Sequence, residues 1–273
     1  MPRAILPLVL LLSTSASAVV GGAPDPDDGA IVAITLGDFT LCSGVLVAKN
    51  AVLTAGHCLA PLGSAEVRLG EDVTHPTARI QIAEQLTHPN YSAEGAPYDF
   101  ALLRLEKNVE DVAVVPLSDE APTLGEQVVH IGYGVSDEAA GSGRGTRRKV
   151  SYPVTKVEAE IFYSGAAGEQ TCDGDSGGAA LGPDGKVIGI VSDGPNCHED
   201  GWDGRVDLVA PWIRDQLQAW APPEQTTPAP QHKGGCGSAG MVLAIVGLAV
   251  SKRGAFDRHG GGRYEESWRA GCG

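Results

Sequence analysis

The chain contains a histidine, an aspartate and a serine whose surroundings suit nucleophilic catalysis. Ser176 lies in Thr171-Cys172-Asp173-Gly174-Asp175-Ser176-Gly177-Gly178. Glycines beside a serine let the backbone approach a ligand closely and adopt conformations closed to other residues. A nucleophile needs that freedom if neighbouring N–H groups are to hold an oxyanion. Taken alone, the run is equally compatible with a plain turn. A serine nucleophile also needs a base. Among 7 histidines, His57 stands out in Leu53-Thr54-Ala55-Gly56-His57-Cys58, just after an apolar run and beside a cysteine. A lone histidine is more often a core or loop residue, so the argument turns on a third group. The base needs a buried carboxylate to fix its tautomer and stabilise the imidazolium. Asp99 leads directly into Phe100-Ala101-Leu102-Leu103-Arg104-Leu105, a position better suited to burial beside a cation than to solvation. Each part is moderately specific; all three in the order His57, Asp99, Ser176 are highly specific.

Short strands must position these groups. Ile31-Val32-Ala33-Ile34, Val45-Leu46-Val47, Ala101 to Leu105, Val128-Val129-His130-Ile131 and Val187-Ile188-Gly189-Ile190-Val191 are brief apolar runs separated by Gly, Pro, Asn and Asp. The 37 glycines and 18 prolines suit a turn-rich β fold better than a helical one. Helical spacing enters only at Pro211-Trp212-Ile213, with Leu217 and Trp220, which predicts a short amphipathic helix with Pro in its first turn. Many short strands at this length predict an all-β barrel or sandwich.

The sequence resembles the trypsin/chymotrypsin-type serine proteases over residues 19–220. The matching stretches are Val19-Val20-Gly21-Gly22, Leu41-Cys42-Ser43-Gly44, Thr54 to Cys58, Asp99 to Leu103, Gly132-Tyr133-Gly134, Gly174 to Gly178 and Ser192-Asp193-Gly194. The resemblance implies two packed six-stranded antiparallel β-barrels, meeting near residue 120, with the catalytic residues at their junction. It makes Ser176 the nucleophile, His57 the base and Asp99 its orienting acid, with the N–H groups of Gly174 and Ser176 as the oxyanion hole. Ser192, Asp193 and Gly194 would pair with substrate as an added strand. A free α-amino group on Val19 would bury itself and pair with Asp175, shaping that hole. The resemblance also implies the bridges Cys42–Cys58 and Cys172–Cys197; counting alone leaves 15 pairings for six cysteines. It places Gln170, followed by Thr171, at the base of the primary specificity pocket and Gly201 at its opening. Trypsin-like selection of Arg or Lys uses an aspartate at that base, and a neutral amide cannot give a buried cation full charge compensation. Asp193 replaces an aromatic residue and should weaken apolar packing on substrate residues upstream of the cut. A loop bridge common in animal members is missing near Phe162, and that segment is short, which suggests a compact, bacterial-like member.

Composition bounds the remaining questions. A net charge of -14 argues against nucleic acid and anionic membrane surfaces as partners. Arg3, the apolar residues 4–12 and Ala16-Ser17-Ala18 read as a signal peptide whose cleavage exposes Val19 directly. Export places the cysteines where disulfides persist. After residue 221 the composition changes to a Pro/Thr linker over 222–235. Cys236 then opens an apolar segment to Arg253, shorter than the roughly 20 residues that span a bilayer. It resembles a C-terminal sorting or anchoring signal of the myxobacterial kind, although residues 254–273, which include Cys272, follow it as a Gly-rich, charged tail expected to be unstructured. The adjacent acids Glu71 and Asp72 are better read as solvated than as a calcium site. No metal or cofactor is expected, and the enzyme is expected to act as a monomer on protein or peptide substrates. The rival reading is a catalytically inactive relative serving as a binding protein.

Overall fold

The computed structural model describes residues 20, 22–61, 63–94, 97–166 and 168–221. The signal-peptide segment, Val19, and the linker, apolar segment and tail, with Cys236 and Cys272, lie outside the described residues.

The first barrel is built from β2 (Ile31–Leu36), β3 (Phe39–Ala48), β4 (Ala51–Thr54), β5 (Ala65–Leu69), β6 (Ala78–Thr87) and β7 (Ala101–Leu105). It closes in the order β2-β3-β4-β7-β6-β5, every pairing antiparallel. β2, β4 and β7 are mainly apolar because most of their residues are buried on both faces; Ile31, Val32, Val52, Leu53 and Leu102 are all inaccessible. β6 is different. Ile80 and Ile82 face the core while Arg79 and Gln81 face solvent, the alternation of a half-buried strand.

The second barrel comprises β8 (Gln127–Gly132), β9 (Arg148–Val157), β10 (Ile161–Ser164), β11 (Ala179–Leu181), β12 (Val187–Asp193) and β13 (Gly201–Arg205). Its strands follow the order β9-β10-β13-β12-β11-β8, and pairing of β8 with β9 closes the ring. The expected pair of six-stranded barrels is therefore found, with one addition. The two-residue strand β1 (Ala23–Pro24) attaches to β9. Asp25 fixes this segment from beneath: its buried carboxylate pairs with Arg147 at 3.1 Å and Lys149 at 2.8 Å. Arg147 is itself 2% exposed, so the pair closes a buried charge that neither partner could carry alone.

The chain crosses between barrels in residues 106–126. It ends, among the described residues, in α1 (Val206–Trp220). The helix begins five residues before the expected Pro211. Buried Val206, Val209, Ala210 and Ile213 recur at the i, i+3, i+4, i+7 spacing that seats one face on the protein. Packing of that face holds the helix through a proline that would otherwise mark its first turn.

Ser43 on β3 ties the barrels together. Its Oγ donates to the Gly174 carbonyl at 2.8 Å and accepts the Tyr133 N–H at 2.9 Å, and its own N–H donates to the Ser176 carbonyl at 2.8 Å. The serine loop thus hangs partly from the first barrel, although it belongs to the second.

Candidate active site

His57 leaves β4 in a single 3-10 turn, Gly56–Cys58, that the Cys42–Cys58 disulfide ties back to β3. Asp99 sits immediately before β7, and its carboxylate is 1% exposed. One oxygen, Oδ1, accepts the backbone N–H of His57 at 2.9 Å. The other, Oδ2, is 2.7 Å from His57 Nδ1 and accepts the Ser192 hydroxyl at 2.7 Å. A carboxylate can only accept, so Nδ1 carries the proton and Nε2 presents its lone pair. Burial raises the Asp99 pKa, but bonds from His57 and Ser192 and the imidazole charge outweigh it and hold the acid below its ordinary value. Burial likewise disfavours charged His57. The Asp99 bond and charge, joined by the charge of Asp193, prevail and move the His57 pKa up. Tyr98, just before Asp99, has φ 52°, the one left-handed non-glycine among the described residues. Such strain persists only where surroundings over-determine it.

Ser176 lies in the loop between β10 and β11. Its hydroxyl donates to the Ser192 carbonyl at 3.4 Å, a long bond, and no hydrogen bond joins it to the imidazole. Nucleophile–base bonds are often loose without substrate. The N–H groups of Gly174 and Ser176 have no acceptor among the described residues. Gly174 holds φ +96°, a left-handed conformation a side chain would resist. This is a pair of free donors beside a serine hydroxyl, with a histidine and a buried acid in line. Such a set can move the serine proton and stabilise negative charge on a carbonyl oxygen.

Asp175 turns inward and is 1% exposed. Its carboxylate accepts the Gly134 N–H at 2.8 Å and the Cys172 N–H at 3.0 Å. Burial pushes its pKa up to about 6 despite those two bonds. Among the described residues no cation forms a salt bridge with it. Its expected partner, the Val19 amine, lies outside them. The next residue is described: the Val20 carbonyl accepts the Gln170 N–H at 3.0 Å.

A cavity of about 280 Å³ opens beside Ser176. Thr171, Ser192, Asp193, Gly194 and Gly201 line it as the sequence suggests, and the Cys172–Cys197 bridge stands in its wall. Gln170 does not line it. Its side chain is buried beneath the floor, bonded to Tyr152, Thr171, Ser164 and Glu199. Two neighbours in the loop before Gly201 are also engaged: the Glu199 carbonyl receives Gln170, and the Asp200 carboxylate accepts the Thr155 hydroxyl at 2.6 Å. Sequence reasoning missed the roles of Ser43, Ser192 Oγ and Tyr152. It also missed Glu138 and Asp173 at the cavity. A polar residue at a buried strand position, as with His130 in β8, was the available signal.

One cluster of metal-capable atoms is found among the described residues, Cys42, His57 and Cys58. The two sulfurs are joined in a disulfide and so supply no thiolate. Asp72 uses Oδ1 to cap its own turn, accepting Thr74 N–H and hydroxyl at 2.7 Å each.

The trypsin family profile matches residues 19–213, most of the chain. The chain belongs to the trypsin family. It is a serine endopeptidase by that membership, and its disulfides and paired barrels follow the family pattern. Trypsin 5G1 of Aedes aegypti is 29% identical over 228 residues, covering 74% of this chain and 85% of the mosquito protein. Trypsin iota of Drosophila melanogaster is 28% identical over 194 residues, covering 63% and 77%. Among solved structures, mouse neuropsin superposes with a TM-score of 0.67 at 25% identity, covering 72% of this chain and 98% of its own. These relatives are animal proteins, so they lend no support to a bacterial-like origin.

Proposed function

We propose that this trypsin-family member is a secreted endopeptidase that cleaves peptide bonds through Ser176, His57 and Asp99. The observation that carries the reading is the Asp99 carboxylate, held by three donors and pairing His57 Nδ1 at 2.7 Å. Ser176 attacks the scissile carbonyl while His57 Nε2 takes its proton. The N–H groups of Gly174 and Ser176 hold the oxyanion, and His57 returns the proton to the leaving amine. The acyl-enzyme is then hydrolysed by water through the same residues. Substrate pairs with Ser192 to Gly194 as an added strand.

Activation follows from the N-terminus. Signal-peptide removal before Val19 yields an α-ammonium, and Asp175 is the buried carboxylate that lacks a cation among the described residues. The Val20–Gln170 pairing supports this route by fixing the residue after Val19 beside the segment that precedes Asp175. The segment from Cys236 is proposed to attach the enzyme to a membrane or cell surface.

The test is covalent labelling with a serine-directed fluorophosphonate, on protein whose N-terminus is sequenced. Wild type beginning at Val19 should label, and Ser176→Ala should lose label and about a millionfold in turnover. Protein that starts at Val19 yet neither labels nor cleaves would instead be an inactive binding relative.

A further inference from the structure

The floor of the cavity rests on a buried polar group that the mechanism does not use. His130 on β8 and Asp203 on β13 pair at 2.9 Å, both buried. Asp203 also accepts the Ser164 hydroxyl at 2.8 Å. The His130 ring stacks on Tyr152, centroids 4.6 Å apart. Both routes lead to Gln170. The Ser164 carbonyl accepts Gln170 Nε2 at 3.1 Å, and the Tyr152 hydroxyl donates to Gln170 Oε1 at 3.1 Å.

These neighbours leave the Gln170 amide one orientation. Two carbonyls, of Ser164 and Glu199, face Nε2 and can only accept. The Thr171 N–H, 2.8 Å from Oε1, can only donate. The amide oxygen therefore points to Thr171, and it also receives the Thr171 hydroxyl at 3.1 Å. Thr171 lines the cavity. While its proton is on Gln170 Oε1, its Oγ1 faces substrate as an acceptor. Gly201 opposes it, and a methyl group there would come within 3.5 Å of both Thr171 Oγ1 and Gln170 Oε1.

Resting on the peptidase reading, we propose that Thr171 Oγ1, held as an acceptor by Gln170 and the His130–Asp203–Ser164–Tyr152 set, selects an uncharged substrate side chain tipped by a hydrogen-bond donor. A tyrosine hydroxyl or a glutamine amide meets that description. A carboxylate brings only acceptors to an acceptor and faces Glu138, Asp173 and Asp193 around the cavity. A cation finds no fixed charge at the floor. Of the surrounding acids, Glu138 already pairs with His198 at 2.7 Å and Asp173 lies 3.8 Å from Arg144. Thr171 is the specificity residue; Gln170 and Tyr152 are positioning residues that act through it.

The test is equilibrium binding to the Ser176→Ala protein, which reads the pocket whether or not the chain hydrolyses peptides. The ligands are short acetylated peptides that end in tyrosine or phenylalanine amide and are otherwise identical. One net hydrogen bond predicts that the tyrosine peptide binds about three- to tenfold more tightly. Added Thr171→Val should bring the ratio to about one while phenylalanine affinity stays, and Thr171→Ser should keep the preference. Tyr152→Phe should lower the ratio without altering phenylalanine affinity, whereas a merely structural role would weaken both peptides alike. Equal binding of the two peptides, a ratio indifferent to Thr171→Val, no binding of either, or tighter binding of an arginine peptide would overturn the proposal. Fluorophosphonate labelling of wild type reports separately on the peptidase reading.

Discussion

At the residue scale, the site is a balance of protons around one imidazole. His57 is 37% exposed, so solvent reaches it, yet two carboxylates bear on it. Catalysis uses the neutral ring as base, and a raised pKa keeps the ring protonated to higher pH. The kcat/KM of the wild type should therefore rise with pH through a value above the ordinary 6.5 of histidine. Asp193→Asn removes one of the two supporting charges and leaves Asp99 in place. Its acid limb should move to lower pH, read from kcat/KM on a small neutral substrate. An unmoved limb would assign the whole rise to Asp99. Asp99 could be read from the sequence because an acid at the head of an apolar strand is conspicuous. Ser192 could be assigned only its backbone role, because the bond from its hydroxyl to Asp99 spans 93 residues.

At the element scale, the serine loop is fastened where two barrels touch. Gly177 holds φ +81°, and a Cβ there would run into the Thr54 hydroxyl and the Ser43 carbonyl, both on the first barrel. Gly177→Ala should therefore destabilise by about 3 kcal/mol, combining left-handed strain with overpacking. Thermal unfolding should show a Tm lower by roughly 6–12 °C. Displacement of Ser176 by even an ångström should cost about a hundredfold in kcat/KM. A variant with wild-type Tm would mean that the barrels part more easily than their contacts suggest. The elements themselves were unevenly legible. β2, β7 and β12 stand out because continuous apolar runs mark strands buried on both faces. β6 and β9 bury only Ile80 and Ile82, or Val150, Tyr152 and Val154, among residues that are exposed or half-buried, and their alternation is faint beside the apolar runs. The start of α1 was hidden because Pro211 is a stronger local sign than the spacing of four buried residues around it.

At the scale of the whole molecule, the two barrels and the helix occupy residues 22–221, the body of the described structure. The proposed catalytic residues lie there, with the two disulfides and thirteen strands found among the described residues. A protein ending at Ala221 should keep the kcat/KM and Tm of the full chain. If the segment from Cys236 attaches the enzyme, the shortened protein should move from the cell-associated fraction to the medium. An unchanged distribution would remove any anchoring role. The net charge of -14 belongs to this scale too, since it bears on which surfaces the protein approaches and not on its fold.

Gln170 joins two of these scales. Its N–H holds the strand that leads from the N-terminus, through the Val20 carbonyl, while its side chain braces the floor under the substrate. Two events that look separate, maturation and recognition, thus bear on the same residue. Coupling of that kind is reciprocal: whatever the seated N-terminus adds to substrate affinity, bound substrate returns in holding the N-terminus. On the proposed activation route, cleavage before Val19 would act on affinity as well as rate, and an enzyme at work would be harder to unmake than an idle one.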